Sequence, residues 1–137
     1  MAQIFALHGA ATSLVIAAQD HGPPVWRYWG PRLADGTTPP PLARPATTFA
    51  LDCTTPYTLF PTFGCGWFGA SALLAHRDGQ DFAQAFDKAK IEWTEAGRSL
   101  AVTLTDSVAR LEVSLAIALD LASDVLTMAT TLTNRGD

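Results

Sequence analysis

The chain reads as an all-β protein, an antiparallel β-sandwich. Apolar and polar residues alternate with a period of two through the second half. Leu111, Val113, Leu115, Ile117 and Leu119 point one way, and Arg110, Glu112, Ser114, Ala116 and Ala118 the other. Turn chemistry recurs between such runs, at Glu95-Ala96-Gly97-Arg98, Thr105-Asp106-Ser107 and Asp120 to Asp124. No strand–helix–strand alternation appears, which disfavours a doubly wound parallel sheet. With 137 residues, 48% of them apolar, the chain suffices for one domain with a buried core and is too apolar for disorder.

The elements follow in order. Ile4 to His8 and Ser13 to Gln19 alternate as two strands joined across Gly9-Ala10-Ala11. Asp20-His21-Gly22-Pro23-Pro24 is a turn, and Val25 to Trp29 a short strand rich in rings. Pro31 to Pro45 is a loop, because Pro39-Pro40-Pro41 excludes both helix and central strand. So long a loop in a compact domain is functional or covers something. From Asp87 to Thr94, Lys88, Lys90, Glu92 and Thr94 share one face and Ala89, Ile91 and Trp93 the other. Alanine and lysine make a helix the competing reading for Asp81 to Trp93, but the alternation favours a strand, with Trp93 in the core. Leu100, Val102 and Leu104 line the next strand, Leu111 to Leu119 the one after, and Val125 to Thr133 the last. Three long strands joined by short turns make a meander. The turn signature Thr133 to Asp137 follows that strand directly. A hairpin partner is expected next, so the partner lies earlier or the chain is a piece of something longer. Its closing Arg-Gly-Asp reads as a strand-to-strand turn.

The formal charge of −4 disfavours a nucleic acid or an anionic membrane as partner, since both need a basic face. No apolar run reaches the roughly 18 residues that span a bilayer. The start, Met-Ala-Gln-Ile-Phe-Ala-Leu-His-Gly, lacks the basic and apolar regions of a signal peptide. A cytoplasmic location is therefore expected. Cys53 and Cys65 form no C-x-x-C pair, and His8, His21 and His76 are scattered, so neither a metal nor a cofactor is expected. Both thiols are expected reduced and partly buried.

Phe60 to Gly79 carries most of the functional signal, with four glycines and five aromatic or imidazole rings in one stretch. Glycine lets backbone approach backbone or ligand closely, and rings beside it can pave a sugar-sized surface. Gly64-x-Gly66-x-x-Gly69 spells a dinucleotide fingerprint, but bulky Trp67 and Phe68 fill it and no helix is read after it. No G-x-S-x-G elbow is present. His76 belongs to a turn whose Asp78-Gly79 is hairpin chemistry. The carboxylates, among them Asp52, Asp78, Asp81, Asp87, Glu92, Glu95, Asp106, Glu112, Asp120 and Asp124, fall in turns or on polar faces and read as solvated charge. No spacing forces two of them around one bond, as glycoside hydrolysis requires. The chain alone is therefore expected not to catalyse. Trp26, Tyr28, Trp29, Phe60, Phe63, Trp67 and Phe68 remain as core or as a sugar platform.

Taken together, V-W-R-Y-W-G-P-R-L (25–33), F-P-T-F-G-C-G-W-F-G-A-S-A-L (60–73), the Asp78-Gly79 dipeptide and L-T-N-R-G (132–136) resemble the N-terminal region of glycoside hydrolase family 36, the melibiase-type α-galactosidases. The resemblance covers nearly the whole chain, and its specific part is 60–73. It implies a non-catalytic β-supersandwich region, 1–137 being one such domain or part of one. In that family a (β/α)8 barrel with the catalytic aspartates follows. Many members carry G-x-G-D-F-R, whose aspartate reaches the galactose pocket. Here Trp67 stands at the aspartate position and Gly69 at the arginine position. The resemblance thus implies that Gly66, Trp67 and Phe68 border a galactoside or oligosaccharide site of a parent enzyme, with a ring wall in place of the acceptor. A free-standing carbohydrate-binding sandwich is the alternative. Unpaired strand edges in a truncated sandwich also predict a homo-oligomer.

Overall fold

The computed structural model describes residues 3–40 and 56–136. Cys53, Asp52 and the end of the proline loop lie outside the described residues. The described chain is all-β apart from one short 3-10 turn, and its strands form two antiparallel sheets. The first sheet holds β1 (Ile4–His8), β2 (Thr12–Ala17) and β3 (Val25–Pro31), in that order. The second is a meander of β4 (Lys88–Glu95), β5 (Ser99–Asp106), β6 (Leu111–Leu119) and β7 (Leu126–Asn134). It has four strands, one more than the three long runs of the sequence pattern, because the strand reading of 87–94 holds and the competing helix does not form.

The element boundaries move by a residue or two. β2 starts at Thr12 and ends at Ala17, β7 starts at Leu126 and ends at Asn134, and Thr105 and Asp106 end β5 instead of opening the turn. Pro31 closes β3 instead of starting the loop. A strand end tolerates proline, since the lost donor interrupts no central ladder.

The two sheets face each other across one core. Phe5, Leu7, Leu14 and Ile16 meet Leu100, Val102, Leu104, Val113, Leu115, Ile117 and Leu119, all buried. The alternation read in β5 and β6 produces this directly, because every second side chain projects to the same face. Lys88, Lys90, Glu92 and Thr94 of β4 are exposed as their pattern predicts. Trp93 is expected in the core but reaches only its margin. It packs on Phe5 with ring centroids 5.6 Å apart and stays 39% exposed. β4 is the outermost strand of its sheet, so the other side of the ring has no neighbour to cover it.

Turn carboxylates fasten the layers. Asp124, in the β6–β7 turn, accepts hydrogen bonds from the amides of Ala11 (2.9 Å) and Thr12 (3.2 Å) and from the Thr12 hydroxyl (2.9 Å) in the β1–β2 turn. Desolvation pushes its pKa up, but these hydrogen bonds outweigh it and hold the carboxyl below its ordinary value. Asp106 is buried at 2% exposure, which corrects its reading as solvated charge. It accepts the amides of Ala85 (2.8 Å), Val108 (3.0 Å) and Ala109 (2.8 Å) and so ties the β5–β6 turn to the irregular segment leading into β4. A buried carboxylate is tolerable because backbone donors replace its water.

The described start of the proline loop turns back onto the first sheet. Arg27 donates to the Pro39 carbonyl (2.7 and 3.0 Å), and the Leu33 amide to the Ser13 hydroxyl (2.9 Å). Ser13 and Val15, on the side of β2 away from the core, are fully buried. The described part of the loop is thus tied to the first sheet at Arg27 and Ser13.

Candidate functional site

The 56–84 segment leaves the first sheet and crosses one end of the sandwich. Its entry is fixed by pairing alongside β3. The Trp26 amide donates to the Tyr57 carbonyl and the Leu59 amide to the Pro24 carbonyl, both at 2.8 Å. Leu59 and Phe60 drop into the core, where Phe60 meets Phe86 edge-on at 5.4 Å. Thr62, fully buried, donates to the Gln84 carbonyl (2.7 Å) and precedes the short 3-10 turn Phe63–Cys65. Cys65 is a free, half-buried thiol.

The glycines of 64–69 have packing reasons. Any Cβ at Gly64 would collide with the carbonyl oxygens of Ala83 and Gln84, so only glycine lets the two backbones lie this close. Gly66 ends the 3-10 turn at φ 79°, a left-handed conformation that favours glycine. Neither position is part of a strand–turn–helix unit, so the phosphate-cradle spelling has no structural counterpart.

The three residues singled out as substrate contacts sit together but face different surroundings. The Trp67 ring lies over Gly69, tilts against Tyr57 at 5.9 Å, and donates its indole N–H to the Ala70 carbonyl at 2.9 Å. It is half-buried and its polar handle is already used. Phe68 is 86% exposed, the most exposed of the large rings among the described residues. Phe63 and Tyr57, also exposed, flank the same loop in sequence. Of the two adjacent rings, Phe68 stands out into solvent and Trp67 is half-buried. Alternation about a turn cannot say which of two adjacent rings lies back against its own loop. The indole N–H finding an acceptor at Ala70 decides it.

Beyond 70 the chain makes the hairpin turn read from its dipeptide. Arg77 and Gln80 exchange both backbone hydrogen bonds at 2.8 Å, with Asp78 and Gly79 at φ 50° and 77°. Among the described residues, His76 faces no nucleophile. Its Nδ1 accepts the Gly79 amide (3.3 Å) and its ring leans on Phe82 at 6.0 Å. A histidine–serine pair does occur elsewhere, His8 Nδ1 to Ser13 Oγ at 2.7 Å. Ser13 is fully buried and already takes the Leu33 amide, so the pair braces the first sheet and offers no reactive oxygen.

The carboxylates do not converge. Asp87 accepts from the Ser107 amide and hydroxyl, both at 3.0 Å, and those bonds, the amide first, hold its pKa below the ordinary value. Asp120 is lowered by the Ser123 hydroxyl, then by the amides of Ser123 and Ala122. Each serves its own turn, and among the described residues none flanks a second across a cleft. No group of histidine, cysteine and carboxylate side chains among the described residues could hold a metal ion, and no described helix is long and apolar enough to cross a membrane. One polar group was invisible in the sequence. Arg77, Gln84 and Asn134 meet beside the hairpin turn, drawn from distant parts of the chain.

The chain matches the glycosyl hydrolase family 36 N-terminal domain over residues 22–137. No curated protein and no solved structure matches it. The matched span takes in β3, the aromatic loop and the whole meander, so the family pattern covers both the resemblance-bearing segment and the second sheet. This protein belongs to the glycosyl hydrolase family 36 N-terminal domain family.

Proposed function

We propose that this chain is the non-catalytic N-terminal domain of an α-galactosidase-type retaining hydrolase, bracing the catalytic barrel and lining the rim of its galactoside site. The observation that carries this reading is the exposed ring of Phe68 beside Trp67, on a glycine-bound loop inside the matched span. A pyranose presents a C–H face that stacks on such rings, and Gly66 keeps the backbone low beside them. The turn-bound carboxylates favour a supporting role over chemistry, since retaining cleavage needs two carboxyl groups about 5 Å apart. A cytoplasmic location goes with this reading, and the free Cys65 thiol suits a reducing compartment.

The domain also pairs with a second copy in this reading. β7 is the outermost strand of its sheet, carries no charged residue or proline, and leaves Met128 and Leu132 exposed. Edges without such guards invite pairing. Light scattering that finds a clean monomer at high concentration overturns this.

The assignment is tested on the enzyme that carries this domain, with aryl α-galactosides as substrates. Phe68→Ala and Trp67→Ala raise KM several-fold if the rings border the site. Unchanged kinetics remove the rim role, and an inactive parent removes the α-galactosidase assignment. A reading frame that ends at Asp137, instead of continuing into a βα repeat, would favour a free-standing carbohydrate-binding module.

A further inference from the structure

An open cavity of about 210 Å³ lies between the Arg77–Gln80 hairpin turn and the far end of the second sheet. It is separate in sequence from the 60–69 loop. Its size is below the range of drug-sized ligand pockets, about 300 Å³ and more, yet ample for several waters or one small molecule. Ala75, Ala109 and Leu111 supply apolar lining, and His76, Arg77, Asp81 and Asn134 polar lining.

The walls are held from behind. Gln84, 3% exposed, donates to the carbonyls of Ala75 (2.8 Å) and Asp81 and locks the turn against the core. Arg77 reaches across to the Ala109 carbonyl (3.2 Å) and the Asn134 side-chain oxygen (3.1 Å). Both bonds use one terminal nitrogen, so the rest of the guanidinium fork makes no hydrogen bond to a described residue. The Asp81 carboxylate likewise takes no described donor. His76 accepts at Nδ1 and therefore carries its proton on Nε2, a further donor.

We propose that this cavity binds a neutral polyhydroxylated small molecule of monosaccharide size. The charge pattern selects that class. Asp81 repels an anion that Arg77 would attract, and Arg77 repels a cation that Asp81 would attract. A ligand offering hydroxyls as both donors and acceptors satisfies the two together. The alanine and leucine lining suits the C–H face of a ring.

The test is a backbone amide NMR titration of the whole 137-residue chain with D-galactose, D-glucose and myo-inositol, and with inorganic phosphate as the charged control. Saturable shifts at Arg77, Gly79, Gln84 and Asn134 in the millimolar range are expected with at least one polyol. Asp81→Asn weakens that binding about tenfold, the effect of exchanging a charged acceptor for a neutral one. Asparagine tolerates the left-handed backbone of residue 81 (φ 57°), so the variant keeps the fold and its spectrum should overlay the parent's elsewhere. Three results would overturn the proposal. They are no saturable shift with any polyol, tighter binding of phosphate, and polyol shifts confined to Trp67 and Phe68. The last would support the ring loop while removing this cavity, so the two sites fail independently.

Discussion

β6 and β7 are neighbours of equal length with opposite fates. On β6, Val113, Leu115 and Ile117 are at most 2% exposed. Their partners across the ladder are Leu132, Thr130 and Met128, which project from the same face. Yet Leu132 is 48% and Met128 39% exposed. The first sheet has three strands and the second four, so the cover reaches β6 and falls short of β7. Whether an apolar side chain is buried thus depends on what lies opposite, and the pattern along its own strand decides only which way it points.

The sharpest test compares two truncations on one rung of that ladder. Ile117→Ala should cost about 2–5 kcal/mol in chemical denaturation, the usual range for emptying a packed site. Met128→Ala, its direct partner, should cost under about 1 kcal/mol, as for a surface position. Equal losses would mean that β7 is covered in solution. Next comes Asp106→Ala, which strands three amide donors at the buried end of β5 and should cost about 1–3 kcal/mol.

A smaller effect separates the clamped turn from the open strand that follows it. The carboxyls of Asp124, Asp87 and Asp120 are all held below their ordinary pKa. The unfolded chain therefore takes up protons first as pH falls. Their stabilisation is complete above the ordinary carboxylate pKa and is lost as pH drops through the lowered folded values. Asp124→Ala should unfold at lower denaturant near neutrality and show a shallower loss towards acid pH. An unchanged acid limb would remove Asp124 as the clamp. Leu132→Lys should have the least effect on folding. Its signature is a lower apparent mass in light scattering if β7 is where copies meet.

Much of the architecture was legible locally. The period-two runs of β5 and β6, the Asp78-Gly79 turn and the polar face of β4 all follow from side-chain direction and turn chemistry, which neighbouring residues set. The glycine and ring content of 60–79 was legible as unusual, and the family match covers it. Which ring stands more exposed was not legible, because the Trp67 indole takes an acceptor, the Ala70 carbonyl, that only the loop's own closure supplies. Asp106 was misread for a related reason. A turn aspartate looks solvated until a segment 21 residues away brings the Ala85 amide to it.

The sequence by itself determined the strand faces, the turns and the family, all of which rest on short-range periodicity or on residues in fixed order. Tertiary structure alone decided that β7 stays bare, that Asp124 bridges the sheets, and that Arg77 and Asn134, 57 positions apart, wall one cavity. Those outcomes depend on which surfaces meet. Meeting is a property of two sheets packing at a given offset, and no single strand carries that information.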